Sequence, residues 1–228
     1  MSLITGASKS SAVSIRVAAM ADVDALVALH YRVFNAATHH ALELGTDFMR
    51  AVYRWFCSTD RGFVVVAEQN NQIVGLCAVN GGSYFMVFRE NIGFLIRALL
   101  RRPALIFRTL NFERLHALWK SRRFGSSRPN PRSGTGQIAF LAVAPEARTT
   151  GAGIILLQHA ALECRKKGWQ EMVTAVHRTN TAIIRLYKIL GFEDYPALNT
   201  TNLAGLRLKK LTHEAAFPTG GAGIRPAG

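Results

Sequence analysis

The 228-residue chain is 49% hydrophobic and 18% charged, and Lys plus Arg outnumber Asp plus Glu 28 to 14, for a net charge of +14. Length and apolar fraction supply one substantial core, so a single domain is expected over 13–211. No apolar run reaches the roughly 18 residues of a membrane span, and no basic segment followed by an apolar stretch opens the chain, which points to a cytoplasmic protein. Cys57, Cys77 and Cys164 share no ligand spacing and His39-His40 has no carboxylate partner, so no metal site is expected.

Residues 1–12 are small and polar, and 212–228 are rich in Gly, Pro and Thr; both read as disordered. Ile15 to Val17 reads as a strand. Ala21 to Phe34 reads as an amphipathic helix with Asp22 in its first turn and Leu26, Leu29 and Val33 at helical spacing. Thr46 to Phe56 is a second helix, capped by Thr46 or Asp47. Phe63 to Glu68 and Gln72 to Asn80 are β-rich and flank Asn70-Asn71, residues that tolerate positive φ, so they form a hairpin.

The interval of about 84–132 is too long for an ordinary loop. It reads as a basic helical insertion with helices over Asn91 to Arg102 and Pro103 to Arg123. Phe94, Leu95, Ala98 and Leu99 share one face of the first; Ile106, Leu110, Leu115 and Leu118 share one face of the second. Residues 97–132 carry ten basic side chains against Glu113 alone. Three readings stand for this charge: a solvated arginine face, a contact with anionic membrane or a lipid-linked substrate, and recognition of a substrate phosphate. The aromatics alternate with aliphatics and form no base-stacking platform, so nucleic acid is not an expected partner.

An apolar run from Gln137 to Val143 stops at Pro145. Arg148-Thr149-Thr150-Gly151-Ala152-Gly153 then opens into a helix over Ile154 to Lys167. Glycines let backbone N–H groups approach an anion, the helix start adds its dipole, and Arg148 adds formal charge. No Lys-Ser or Lys-Thr follows the second glycine and there is no third glycine, so neither a triphosphate loop nor a dinucleotide fingerprint fits. Gly168 ends the helix. Gln170 to Val176 is β-rich, a helix begins near Thr179-Asn180 and ends at Gly191, and Leu203 to Leu208 is a final strand.

In this stretch the sequence resembles the GCN5-related N-acetyltransferases, the GNAT superfamily, whose coenzyme A motif is Gln/Arg-x-x-Gly-x-Gly/Ala, followed by Asn, then Tyr, then Gly-Phe. Those positions read Arg148, Gly151, Gly153, Asn180, Tyr187, Gly191 and Phe192. The match covers residues 137–195. Thr149 stands where many members have glycine, Ile183 where a small residue is common, and Gln137 where an acid is common. The resemblance implies an α/β fold with a central mixed, mostly antiparallel sheet flanked by helices. It further implies acetyl-CoA bound by Arg148, Thr149, Thr150, Gly151, Ala152 and Gly153, by the backbone of Leu141 and Val143, and by Asn180, with Tyr187 as the acid toward the departing sulfur.

Acetyl transfer from a thioester to an amine poses two proton problems. An acceptor of pKa near 10.4 is neutral in about one molecule in a few thousand at pH 7, a penalty of roughly 4 to 5 kcal/mol. The departing thiolate is the second, and a phenol near pKa 10 can protonate it at about 2 kcal/mol. Tyr187 has a packing role as the competing reading, and Asn180 has helix capping. For the base, His40, Glu43, Glu68 and His177 are available and none is fixed by spacing. The expected activity is acetyl-CoA-dependent N-acetylation of a primary amine of a small molecule, with an amino sugar or its nucleotide-linked form as one acceptor class. The competing class is a non-catalytic acyl-CoA-binding or peripheral membrane module.

Overall fold

A computed structural model describes residues 13–35, 39–82, 85–101 and 134–209. The elements run β1 (Ser14–Val17), α1 (Val23–Val33), α2 (Thr46–Ser58), β2 (Gly62–Gln69), β3 (Gln72–Gly81), α3 (Phe85–Glu90), α4 (Ile92–Arg101), β4 (Thr135–Val143), α5 (Ala152–Lys166), β5 (Glu171–His177), α6 (Thr181–Ile189), β6 (Glu193–Asp194) and β7 (Leu203–Leu208). They build one seven-stranded sheet in the order β1-β2-β3-β4-β5-β7-β6. Every neighbouring pair is antiparallel except β4 with β5. This is the mixed, mostly antiparallel sheet expected. The disorder expected at both termini and the second insertion helix at Pro103 to Arg123 fall outside the described residues.

Strand alternation gives the sheet two faces. Phe140 of β4 meets Tyr53 and Phe56 of α2 at ring-centroid distances of 6.0 and 6.2 Å, so Phe140 and its cross-strand partner Ala78 face α1 and α2. Cys77 and Leu141, one residue along, face α5 and α6. α2 buries Phe48, Met49, Val52, Tyr53 and Phe56, a helical stripe that fills the first face. α5 buries Leu156, Leu157, Ala160, Ala161 and Cys164 on the second.

Glycines punctuate these helices as the sequence led one to expect, with one correction. The cap of α2 is Gly45 at φ 92°, with no side-chain bond, and neither Thr46 nor Asp47 caps it. The Asp47 carboxylate is held instead by Arg101 at 2.8 Å and Arg50 at 3.5 Å. At the end of α5, Trp169 N–H donates to Cys164 C=O and Gly168 N–H to Arg165 C=O, both at 2.9 Å, with Gly168 at φ 74°. That is the Schellman pattern. It repeats at the end of α6, where Phe192 N–H reaches Tyr187 C=O and Gly191 N–H reaches Lys188 C=O, both at 3.0 Å.

Of the insertion, α3 and α4 are described. Glu90 of α3 accepts from Trp55 and from Arg61, which ties the segment to α2 and to the start of β2. α4 turns Ala98 inward with Leu95 and Leu99 half-buried, but Phe94 is exposed, contrary to the expected apolar face. Ile92, Ile96 and Leu100, one turn apart, form a second, outward stripe.

Candidate active site

The two parallel strands separate. β4 and β5 pair only from Thr135↔Glu171 to Gln137↔Val173, yet β4 continues on β3 to Val143 and β5 continues on β7 to His177. Each strand is held on its outer side while the inner sides diverge, leaving a wedge that opens toward the C-terminal ends. Ala144 N–H donates to Val74 C=O at 2.8 Å. By alternation Ala142 also faces β3, and Leu141 and Val143 turn their backbone groups to the wedge. A bulge accompanies the opening, since Ala78 pairs with Phe140 but Val79 with Ile138, leaving Ala139 extra.

The glycine-rich turn lies at the mouth. Pro145–Thr150 forms a short 3-10 segment, and Gly151 then takes φ 77°, a left-handed conformation that lets the chain turn directly into α5. Ile154 and Ile155 N–H both bond Gly151 C=O, at 3.0 and 3.2 Å. Among the described residues no side chain caps the helix, so Ala152 and Gly153 N–H remain directed out of the first turn. A Cβ on Gly151 would meet nothing within 4 Å, which leaves open space over the turn. Arg148 and Thr149 are exposed at the rim, with Arg148 Nε 3.5 Å from Val143 C=O, and Thr150 Oγ1 donates to Ala147 C=O at 2.8 Å.

Tyr187 lies at the apex. Its side chain is buried, its ring meets Phe192 edge-on at 4.8 Å, and its hydroxyl bonds the Thr174 side chain, the first β5 residue beyond the pairing with β4. Burial raises the pKa of the phenol well above its ordinary value, with the nearby Cys77 adding to the effect. Asn180 caps α6, its Oδ1 accepting from Ile183 N–H at 3.3 Å.

The candidate bases with described side chains, Glu43, Glu68 and His177, sit on three separate elements. Glu68 accepts from Arg16 at 3.0 Å on the β1–β2 side of the sheet. His177 is exposed at the end of β5, its Nδ1 2.8 Å from Thr179 Oγ1. Glu43 lies in the turn before α2, and the His40 side chain lies outside what is described.

A different histidine lies on the other side of β4. His30, in the last turn of α1, is fully buried, with Nδ1 2.7 Å from Tyr53 Oη. Burial first, and then the neighbouring His39, push its pKa down to about 3. The rings of Phe34, Phe140 and His39 surround it at 4.4, 4.8 and 4.8 Å. Sequence reasoning passed over it because an isolated histidine on an apolar helix face carries no spacing signal. Its position one turn after Leu26, facing the core with Leu29, was the available clue.

Among the described residues, no group of three or more His, Cys, Asp or Glu is placed to hold a metal ion, and no helix is long and apolar enough to cross a membrane.

Comparison with known proteins completes the picture. Residues 30–192 match the model of the acetyltransferase (GNAT) family. No curated protein sequence matches the chain. Among solved structures, the PaiA N-acetyltransferase of Thermoplasma acidophilum in complex with coenzyme A is similar over 87% of this chain and 99% of its own, at 12% identity and a TM-score of 0.54. YncA of Salmonella typhimurium with acetyl-CoA is similar over 90% and 97%, at 22% identity and 0.54. The GNAT domain of PAT from S. lividans covers 86% and 90%, at 12% identity and 0.57.

Proposed function

The chain belongs to the GNAT acetyltransferase family, and on that premise we propose that it moves the acetyl group of acetyl-CoA to a primary amine of a small molecule. The observation that carries this reading is the wedge between β4 and β5 with the uncapped start of α5 at its mouth. Phosphate oxygens suit the N–H groups of Ala152 and Gly153 and the charge of Arg148, while an extended amide-bearing arm suits the inner backbone edge of Leu141 and Val143. Thr149 and Thr150 border the same turn, and Asn180 stands at the start of α6 across the opening. The residues therefore fit coenzyme A.

Acetyl-CoA supplies an activated carbonyl. The amine nitrogen forms the new bond to the carbonyl carbon, the carbon–sulfur bond breaks with its electron pair going to sulfur, and the proton that the amine gives up passes through solvent to that sulfur, leaving an amide and a free thiol. Tyr187 is the residue we assign to the departing sulfur. Its raised pKa keeps the hydroxyl protonated, so it serves as a hydrogen-bond donor to the developing negative charge more readily than as a full proton donor. Calorimetry with acetyl-CoA, followed by product detection with glucosamine, lysine and phenethylamine, tests the reading. Micromolar binding with acetylation of at least one amine is expected. Failure to bind would remove it.

An amino sugar or its nucleotide-linked form is the acceptor class we favour, supported by the basic 97–132 segment, of which Arg97 and Arg101 line a groove with Gly45, Thr46 and Phe94. A second reading of the insertion rests on α4, whose outward Ile92, Ile96 and Leu100 adjoin Arg97 and Arg101. That combination suits an anionic membrane surface. Vesicle co-sedimentation that rises with anionic lipid and falls with salt would support it, and salt-independent absence of binding would remove it.

A further inference from the structure

We propose that His30 positions the acceptor: its Nε2, on the α1–α2 side of β4, makes a hydrogen bond to the amine that attacks the thioester. The proposal rests on the acetyl-transfer reading above and adds a residue that would hold the acceptor.

His30 is fully buried, and among the described residues its Nε2 has no hydrogen-bond partner. Nδ1 is engaged by Tyr53 Oη at 2.7 Å, which fixes the plane of the ring. Either tautomer leaves Nε2 unmatched, as an N–H donor when Tyr53 donates to Nδ1 and as a lone pair when Nδ1 donates. Buried polar groups in folded proteins are almost always satisfied, and an exception calls for an explanation. A phenylalanine would fill the same volume but give up the bond to Tyr53, whereas the imidazole keeps that bond and leaves one buried nitrogen unmatched. A ligand that supplies the missing partner removes that remaining cost.

The position of the ring points to which ligand. His30 meets Phe140 edge-on at 4.8 Å. Phe140 adjoins the β4 bulge, and the next residue, Leu141, turns its backbone to the wedge. The C-terminal turn of α1 is joined to the glycine-rich turn by Arg32 and Glu146 at 3.1 Å. The wedge and its phosphate turn open on the α5 side, and His30 backs the same stretch of β4 from the opposite face. An amine held at Nε2 would lie across β4 from a donor threaded through the wedge. The ring is held neutral, since its pKa is pushed down to about 3. It therefore cannot keep a proton taken from an amine, and its contribution is orientation.

The test uses the full chain and the substitutions His30→Phe and His30→Gln. Acetyl-CoA affinity by calorimetry, melting temperature, and kcat and KM for the best of glucosamine, lysine and phenethylamine are measured together. In His30→Phe the acetyl-CoA Kd should stay close to wild type and the lost bond to Tyr53 should lower the melting temperature by only about a few degrees, while kcat/KM for the amine falls at least tenfold, mainly through KM. His30→Gln, which offers an amide near the position of Nε2, should recover part of that loss. A folded His30→Phe with wild-type kcat and KM would return His30 to core packing and leave the acetyl-transfer reading intact. A wild-type protein that binds acetyl-CoA but acetylates none of the amines would remove the transfer reading, and this proposal with it. If both variants fail to fold, the His30 ring nitrogens of wild-type protein saturated with coenzyme A are followed by nitrogen-15 NMR. A shift of Nε2 on adding the amine supports the contact, and an unchanged Nε2 resonance overturns it.

Discussion

The two faces of β4 are built on different principles. On the α5 side, the features that fit an anion and an extended arm are backbone groups: two N–H groups at the start of α5 and the inner edge of Leu141 and Val143. On the α1–α2 side, the feature is a side chain, His30, held by Tyr53 from a second helix and by Phe140 from the strand. Backbone sites leave glycines at fixed spacing in the sequence. Side-chain sites gathered from three elements leave no such trace.

The largest effect that separates the faces concerns protons. His30 titrates at its ordinary value of 6.5 when unfolded and near 3 when folded, so the unfolded chain binds more protons between those values. Its contribution to stability is complete above pH 6.5 and is lost as pH falls toward 3, at up to about 1.4 kcal/mol per pH unit. Denaturant melts from pH 6.5 to 4.5 should therefore lose about 2 to 3 kcal/mol, and His30→Phe should flatten that slope. An equal slope in the variant would contradict the buried neutral imidazole.

At the wedge apex, Tyr187→Phe keeps the contact with Phe192 and deletes only the hydroxyl bonded to Thr174. Turnover should fall on the order of 10² or more if the hydroxyl meets the departing sulfur. Acetyl-CoA affinity should change little, and the lost hydrogen bond should cost only about 1 kcal/mol of stability. Wild-type turnover would leave Tyr187 as a packing residue.

The closed end of the wedge gives a comparable effect on stability alone. A Cβ on Gly136 would lie 2.8 Å from Trp169 Cε3 and 2.9 Å from Cys164 Sγ. Gly136→Ala should cost about 1 to 3 kcal/mol through overpacking, read as a lower denaturation midpoint with an unchanged m-value. Full stability would mean that Trp169 has room to shift. The smallest effect is at Arg32, whose pair with Glu146 is exposed on both sides. Arg32→Ala should change stability by no more than about 1 kcal/mol, and a larger loss would show that the pair does more than join two surface turns.

The legible parts of the fold were those set by local chemistry. The final strand falls at Leu203–Leu208 as read, and Asn70 and Asn71 take φ of 52° and 60° at the hairpin tip. The spacing Tyr187, Gly191, Phe192 has a purely structural reason as well. These are the C3, C′ and C″ positions of a Schellman end, where an apolar contact between the first and last is usual. Half of that motif would persist without any chemistry. What escaped was decided by tertiary partners. Asp47 left the capping role to Gly45 because Arg50 and Arg101 take its carboxylate. Phe94 lies one turn before the buried Ala98 on the same face and stays exposed because only a groove, lined with Gly45 and Thr46, stands opposite it. The two-residue β6 exists only as an addition to β7, and His30 gained its role from residues 23 and 110 positions away, Tyr53 and Phe140.

The central claim is that the turn before α5 receives the phosphates of coenzyme A, and Gly151 is where it is most exposed to test. Open space surrounds its missing Cβ, and aspartate is among the residues that tolerate positive φ, so Gly151→Asp adds a carboxylate over the turn without a clash. Calorimetric titration with acetyl-CoA should show the Kd rising at least tenfold, about 1.4 kcal/mol or more, in a protein whose melting temperature is nearly unchanged. A folded Gly151→Asp that binds acetyl-CoA as tightly as wild type would contradict the account.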